Sequence, residues 1–287
     1  MIVVLVLGLI LTLTYWAVGA FESSASAYSA VQKVYRKEQG LVFLNSALYK
    51  LAELLDKDNN DYDALNEFWA RPYSFETPIG TIEAKIVDLD RYIDVNLVGR
   101  NRKITRVFEN LLSLLQIDPQ LLELLLEWKG DRPEEFWPAK YPPKGKPLDS
   151  VHEIALFWDK KGDLYGREEE SGISYPGLLE LLTVHSGGRI NINTAPYWVI
   201  RALSPYIDDT LAREIIAYRK EHPFRSVQDL LNVEGIDMDL LYRIEDLLTT
   251  RSRFFKITLK LEGGNTALTV EAVYDVLNKR FVEKRIY

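Results

Sequence analysis

The start of the chain is hydrophobic without interruption. From Ile2 to Phe21 no side chain is charged, and Thr12 and Thr14 are its clearly polar residues. Such a run is about the 20 residues that a helix needs to cross the hydrocarbon core of a bilayer. It predicts a retained transmembrane helix over residues 1–21. A cleaved secretory signal fits less well, because the apolar run exceeds the usual length and no basic segment precedes it.

The sequence after Glu22 becomes amphipathic without a proline. Apolar side chains then recur at roughly helical spacing, which predicts one continuous N-terminal helix over residues 1–55 that ends near the polar segment 56–61. The apolar positions are Val31, Val34, Tyr35, Leu41, Leu44, Leu48, Leu51 and Leu55. Segment 56–61 imitates the opening of a calcium loop, but we expect no calcium site there, because we find the required glycine and distal glutamate to be missing. We interpret this segment as a solvated helix end.

Alternating patterns at two distant places predict strands. One lies at residues 79–90, and three more runs follow Phe254, joined by Glu-Gly-Gly-Asn and by Leu-Asn-Lys-Arg. Glycine and asparagine tolerate the positive φ of tight hairpins, so the three runs predict an antiparallel meander. We therefore expect an α+β fold whose sheet is built from residues 56–90 and 252–287. Residues 91–251 are then a large α-helical insertion.

The insertion contains a diverged repeat. Three pairs of segments recur in the same order: 91–96 with 189–193, 127–129 with 218–220, and 149–154 with 225–230. This predicts two copies of one helical module, at about 91–160 and 186–250. The first copy carries an additional stretch, 131–147, whose five prolines exclude regular helix and predict an exposed loop.

The second module resembles the helix-hairpin-helix (SAM-like) modules that bind DNA. In these modules glycine-containing hairpins present backbone N–H groups to phosphate. Here the first hairpin, Ser-Pro-Tyr-Ile-Asp-Asp at 204–209, has no glycine and two carboxylates, and only the second hairpin retains one, Gly235. Phosphate binding needs clustered Lys and Arg. We therefore expect a helical scaffold and not a nucleic-acid interface.

Composition narrows the function further. The chain has 287 residues, net charge −7, three scattered histidines and no cysteine. The absence of cysteine excludes disulfides, thiol catalysis and thiolate zinc sites. Neither a nucleophile-elbow motif nor a phosphate-binding glycine loop after a strand is present. We expect a protein that is not an enzyme.

Taken in order, these segments resemble one family, the K-type minor pseudopilins of type II secretion systems (general secretion pathway protein K). The resemblance covers nearly the whole chain. Like that family, this sequence has Leu5 where major pilins carry a glutamate. Besides the apolar helix, several segments resemble the family. They are residues 78–90, which lead into Asp94-Val-Asn96, and segments 190–195, 223–227 and 252–255.

The resemblance implies a pilin-like fold with an inserted helical domain, a tip position on a periplasmic pseudopilus, and I-type and J-type minor pseudopilins as partners. The helix would cross the inner membrane once, with the C-terminal head in the periplasm. Its assembly residues would be Leu5, Leu7, Leu9, Leu11 and Leu13. The resemblance also implies calcium as a cofactor between Trp128 and Tyr141, where the local oxygen donors are Asp131, Glu134 and Glu135.

Two alternatives remain open at the level of the sequence. One is a membrane-anchored DNA-binding protein of a competence-like uptake system, which would use the module at 190–237. The other is a minor pilin of a type IV pilus, which shares the fold and differs in its genomic neighbours.

Overall fold

The computed structural model describes residues 1–135, 137–138, 141–168, 172, 174–264 and 266–287. The helices are α1 (Ile2–Asp56), α2 (Arg102–Leu114), α3 (Gln120–Lys129), α4 (Lys161–Tyr165), α5 (Tyr197–Ala202), α6 (Asp209–Glu221) and α7 (Met238–Ile244). The strands are β1 (Tyr73–Thr77), β2 (Gly80–Asp88), β3 (Ile93–Asp94), β4 (Arg167–Glu168), β5 (Ser174–Tyr175), β6 (Leu182–Thr183), β7 (Ile190–Asn191), β8 (Leu248–Thr249), β9 (Phe254–Gly263), β10 (Thr266–Asp275) and β11 (Arg280–Ile286).

Helix α1 is continuous over 55 residues, which corresponds to about 80 Å at 1.5 Å per residue. Its first half makes no packing contact that buries a side chain. The hydroxyls of Thr12 and Thr14 donate to backbone carbonyls of the preceding turn, at 2.9 Å to Leu9 O and 2.7 Å to Ile10 O. The polar groups of the apolar run are thereby satisfied within the helix, as a lipid environment requires. The predicted long N-terminal helix is confirmed.

The second half of α1 packs across a five-stranded antiparallel sheet of order β1-β2-β9-β10-β11. Its buried leucines, from Leu44 to Leu55, meet alternate residues of the central strands, such as Ile257 and Val270. The predicted strand near 79–90 and the C-terminal meander are confirmed. Strand β1 was not predicted. Its residues are mostly exposed, so its sequence does not show the alternation of apolar and polar residues that a half-buried strand has.

Gly40 is the point at which α1 reaches the sheet. A Cβ atom at this position would lie 2.8 Å from a methyl carbon of Leu261 and of Leu268. Real Cβ atoms do not approach other carbons so closely, because packed interiors already sit at van der Waals contact. The glycine therefore allows the close approach of helix and sheet.

Between β2 and β9 the chain forms two helical modules of the same construction. The first runs β3-α2-α3-α4-β6, with the β4–β5 hairpin inserted, and the second runs β7-α5-α6-α7-β8. In each, the first and last strands pair in parallel, Ile93 with Leu182 and Ile190 with Leu248. Each also contains a six-residue 3₁₀ segment opened by a capping box, at Ser150 and at Ser226. The two segments thus share one order of elements, and the first module extends to Thr183, beyond its predicted end near residue 160.

Single side chains repeat their contacts as well. The amide of Asn96 accepts from the N–H of Leu148 at 2.8 Å and donates to its carbonyl at 3.0 Å. Asn193 makes the same two bonds with Phe224, both at 2.8 Å. A side-chain amide has one acceptor and one donor group side by side, so it can pair with a backbone peptide as a strand would. Each module uses this pairing to hold its distant segment in place.

Candidate functional site

The apolar half of α1 exposes a long run of hydrophobic side chains. The predicted assembly leucines are all exposed, and Leu5 and Leu9 expose 67% and 62% of their surface. They lie around the helix, because alternate residues are rotated by about 200° at 3.6 residues per turn. Monomeric soluble proteins rarely expose such a patch. Among the described residues, α1 is the one helix that is long and apolar enough to cross a membrane.

The helix N-termini at the two hairpins of the second module are occupied by the protein's own carboxylates. Asp208 caps α6 by accepting from the N–H of Leu211 at 2.8 Å. Asp237 caps α7 in the same way, with Leu240 at 2.8 Å. In a DNA-binding hairpin these N–H groups face phosphate. Here a phosphate would meet an aspartate instead, which costs free energy through like-charge repulsion.

The two modules meet the sheet at one buried carboxylate, Asp90, which is 1% exposed. The N–H of Gly187, which follows the first module, donates to Asp90 Oδ1. After the second module, the N–H groups of Arg253 and Phe254 donate to Asp90 Oδ2 at 2.5 and 3.0 Å. Three donors converge on one ionisable group, so Asp90 connects both ends of the helical region to the sheet. We name it the junction carboxylate.

A second buried aspartate, Asp88, joins the end of β2 to the second module. It accepts from the side chains of Asn191 and Thr194 and, at 2.8 Å, from the N–H of Asp90. Burial, followed by the charge of Asp90, raises the pKa of Asp88 to about 7. Desolvation of this kind disfavours the ionised form. The charge state of Asp88 therefore depends on pH near neutrality.

The guanidinium of Arg253 connects the junction to the end of strand β10. It forms two parallel bonds to Asp275, at 3.0 and 2.8 Å. Asp275 is 1% exposed, and these bonds hold the pKa of its carboxyl well below the usual range. A bidentate Arg–carboxylate pair fixes geometry as well as charge. The helical region and strand β10 are thereby oriented relative to each other.

The three residues that the sequence predicts for calcium lie directly after α3. Asp131 lies between two cations, 3.2 Å from Arg100 and 2.9 Å from the buried ammonium of Lys129. Glu134 and Glu135 are exposed. In the described part of the chain these three carboxylates are not a group with converging ligand atoms. Calcium binding at this loop stays a prediction.

A different carboxylate group was missed by the sequence analysis. Asp58, Asp63 and Glu67, after the end of α1, place one oxygen each within 4.8 Å of the others. Burial, together with the charges of neighbouring carboxylates, raises the pKa of Asp63 to about 7. The signal that could have found this group is the spacing: counted from Asp56 as first, Glu67 is the twelfth residue. The statement that segment 56–61 lacks a distal glutamate is therefore wrong.

Comparison with known proteins gives two kinds of similarity. The helix-hairpin-helix motif family matches residues 185–249, which is the second module with its flanking segments. The endonuclease/exonuclease/phosphatase family domain-containing proteins 1 of Mus musculus and Rattus norvegicus are 40% identical over 73 residues, which is 25% of this chain. The chain spans 13% of the length of these relatives.

Structure comparison covers far more of the chain. A chain in the crystal structure of the GspK-GspI-GspJ complex from the enterotoxigenic Escherichia coli type 2 secretion system superposes with a TM-score of 0.64 at 16% identity. The match covers 90% of this chain and 99% of that one. The resemblance to the K-type minor pseudopilins is confirmed for the fold. The structural match includes the split sheet and the helical insertion. The match to the helix-hairpin-helix family covers only the second module and its flanking segments.

Proposed function

We propose that this protein is a minor pseudopilin at the tip of a type II secretion pseudopilus, where it initiates or caps assembly and supports protein export across the outer membrane. One observation carries the proposal: the similarity to a chain of the GspK-GspI-GspJ complex extends over 90% of the molecule.

In this proposal, α1 is the assembly element. Its exposed apolar half crosses the inner membrane once and packs against the apolar helices of other subunits, with the leucines from Leu5 to Leu13 in the contact. The head of sheet and helical modules then lies in the periplasm. Leu5 suits a terminal subunit, because a buried carboxylate at that position would need a charged partner from a neighbouring chain.

The partners proposed for the head are I-type and J-type minor pseudopilins. The structural relative is a chain of a GspK-GspI-GspJ complex. The test is to co-express the full chain with the two smaller pseudopilin-like proteins encoded beside it and to purify it from detergent through a tag on this chain. We expect one stable complex that contains all three. Purification of this chain alone, with both other proteins soluble and folded, would contradict the proposal.

A second candidate, DNA binding in an uptake system, is favoured by the match of the helix-hairpin-helix family to residues 185–249. The capping carboxylates Asp208 and Asp237 argue against it, because they satisfy the N–H groups that would hold phosphate. A gel shift with duplex DNA at low salt separates the two functions. We expect no shift at micromolar protein. A shift that D208N together with D237N strengthens would favour the DNA-binding function.

A type IV pilus minor pilin would share the fold and the anchor. The genes that flank this one decide between the two systems. We expect genes for I-type and J-type pseudopilins and for an outer-membrane secretion channel. Flanking genes for a major pilin and a retraction motor would instead favour the pilus.

A further inference from the structure

The segment that connects α1 to the sheet is unusually acidic. Residues 56–67 read DKDNNDYDALNE, and we name this segment the acidic loop. In the structure, Asp58, Asp63 and Glu67 each place one carboxylate oxygen within 4.8 Å of the other two. Like charges at this distance repel, so the arrangement costs free energy unless a cation or protons compensate it.

Burial adds to the cost. The Oδ2 atom of Asp58 exposes less than 1 Å² and has no hydrogen-bond partner in the described part of the chain. Asp63 as a whole is only 9% exposed. A buried carboxylate oxygen without a donor is rare in folded proteins and calls for an explanation such as an ion. The unpartnered oxygen belongs to one of the three side chains of this carboxylate group.

The protein's own cations do not compensate the group. The nearest lysines on the helix side, Lys50 and Lys57, both pair with Glu53, at 2.7 and 2.6 Å. Lys279 lies 3.9 Å from Asp56. Within the described residues no ion pair reaches Asp58, Asp63 or Glu67. A cation from solution would supply the missing positive charge.

The order of the residues indicates which cation. Acidic or amide side chains at the first, third and fifth positions and a glutamate at the twelfth are the spacing of an EF-hand calcium loop, here Asp56, Asp58, Asn60 and Glu67. The sixth position, usually glycine, is Asp61. The structure brings the third and twelfth positions together, which is what a shared ion requires. Oxygen donors without nitrogen or sulfur favour calcium over transition metals.

We propose that the acidic loop binds a calcium ion through Asp58, Asp63 and Glu67. The site is separate from the loop at 131–147. The N–H of Ser252 donates to Asp63 at 2.7 Å, and the N–H of Asp63 donates to the carbonyl of Thr250 at 2.8 Å. Glu67 is positioned by the indole N–H of Trp69 at 2.9 Å. The ion therefore fastens the end of α1 to the segment at Thr250 and Ser252 that leads into strand β9.

The test is titration of the full chain in detergent after removal of metal with a chelator. Calorimetry with calcium should give one site with a Kd of about 10⁻⁴ to 10⁻³ M, as in extracellular calcium modules, and magnesium should bind more weakly. Terbium should show luminescence sensitised by Trp69, which calcium displaces. Calcium should also raise the Tm, because the ligands converge only in the folded state.

Asp58→Asn is the decisive variant. It keeps the Oδ1 acceptor for the N–H of Asn60, at 3.3 Å, and removes the charge. We expect the calcium affinity to fall roughly tenfold or more, while the Tm in chelator stays equal or rises because the repulsion is relieved. Glu67→Gln should lose affinity similarly. If Glu67→Gln does not fold, Asp58→Asn alone decides.

The matched control carries Asp131→Asn, Glu134→Gln and Glu135→Gln. It removes three carboxylates from the other loop and should leave the sensitised terbium signal and the calcium affinity unchanged. Three outcomes would overturn the proposal: no calcium heat with the unmodified chain, equal affinity in Asp58→Asn, or loss of binding in the control variant alone. None of them bears on the proposed function, because secretion partners are measured separately.

Discussion

Replacement of the junction carboxylate by an amide, Asp90→Asn, should destabilise the protein by about 2–3 kcal/mol. Oδ1 of Asp90 accepts from Gly187, and Oδ2 accepts from Arg253 and Phe254. An asparagine has one oxygen, so its NH₂ group must face a donor on one side. The best orientation keeps Arg253 and Phe254 satisfied and leaves the N–H of Gly187 without an acceptor.

The magnitude follows from these bonds. A buried donor without a partner costs about 1–3 kcal/mol, and the two remaining bonds lose the charge that strengthens them. Burial raises the pKa of Asp90, so removal of the charge returns part of this free energy. The net loss is then about 2–3 kcal/mol, with a lowered midpoint in urea unfolding of the full chain in detergent, followed by tryptophan fluorescence.

The repeat supplies a matched control. Asp94 in the first module is equivalent to Asn191 in the second, and each contacts a serine hydroxyl. Asp94 accepts from Ser186 Oγ at 2.8 Å, whereas Asn191 donates to Ser252 Oγ at 2.7 Å. Asp94→Asn should therefore change the unfolding free energy by less than about 0.5 kcal/mol, because a serine hydroxyl can accept as well as donate. If both variants shift the midpoint equally, the role given to Asp90 is refuted.

Three other perturbations test the remaining contacts. Gly40→Leu should lower the stability by about 1–3 kcal/mol through overpacking against Leu261; an unchanged Tm would contradict the close approach of α1 to the sheet. Leu9→Arg should disfavour membrane insertion by about 2.5–3.5 kcal/mol, seen as release into the supernatant on alkaline extraction, whereas full retention would argue against a spanning segment. Asp88 has a folded-state pKa raised from 3.8 to about 7, so its contribution to stability is present at pH 4 and lost as pH rises through 7. In chelator the Tm should fall from pH 5 to pH 8, and a flat profile would oppose this.

Local pattern predicted much of the fold. The uninterrupted apolar run and the 3.6-residue spacing after it determine α1, and the alternation near the C-terminus determines the meander, because each depends on neighbours a few residues apart. The order of recurring segments was enough to find the two modules. The resemblance to a family followed from that order of elements.

Tertiary structure alone decided the rest. Asp90 and Phe254 are 164 residues apart, and no periodicity near either one indicates that they meet. Strand β1 has no buried face to leave a pattern. The acidic loop was partly predictable. The spacing of its acidic residues is visible in the sequence, but only the folded structure shows that Asp63 lies close to Glu67 and Asp58. A carboxylate's partners, burial and pKa depend on segments that the whole fold brings together, and this is why the chemistry of the junction and of the loop became visible only in the structure.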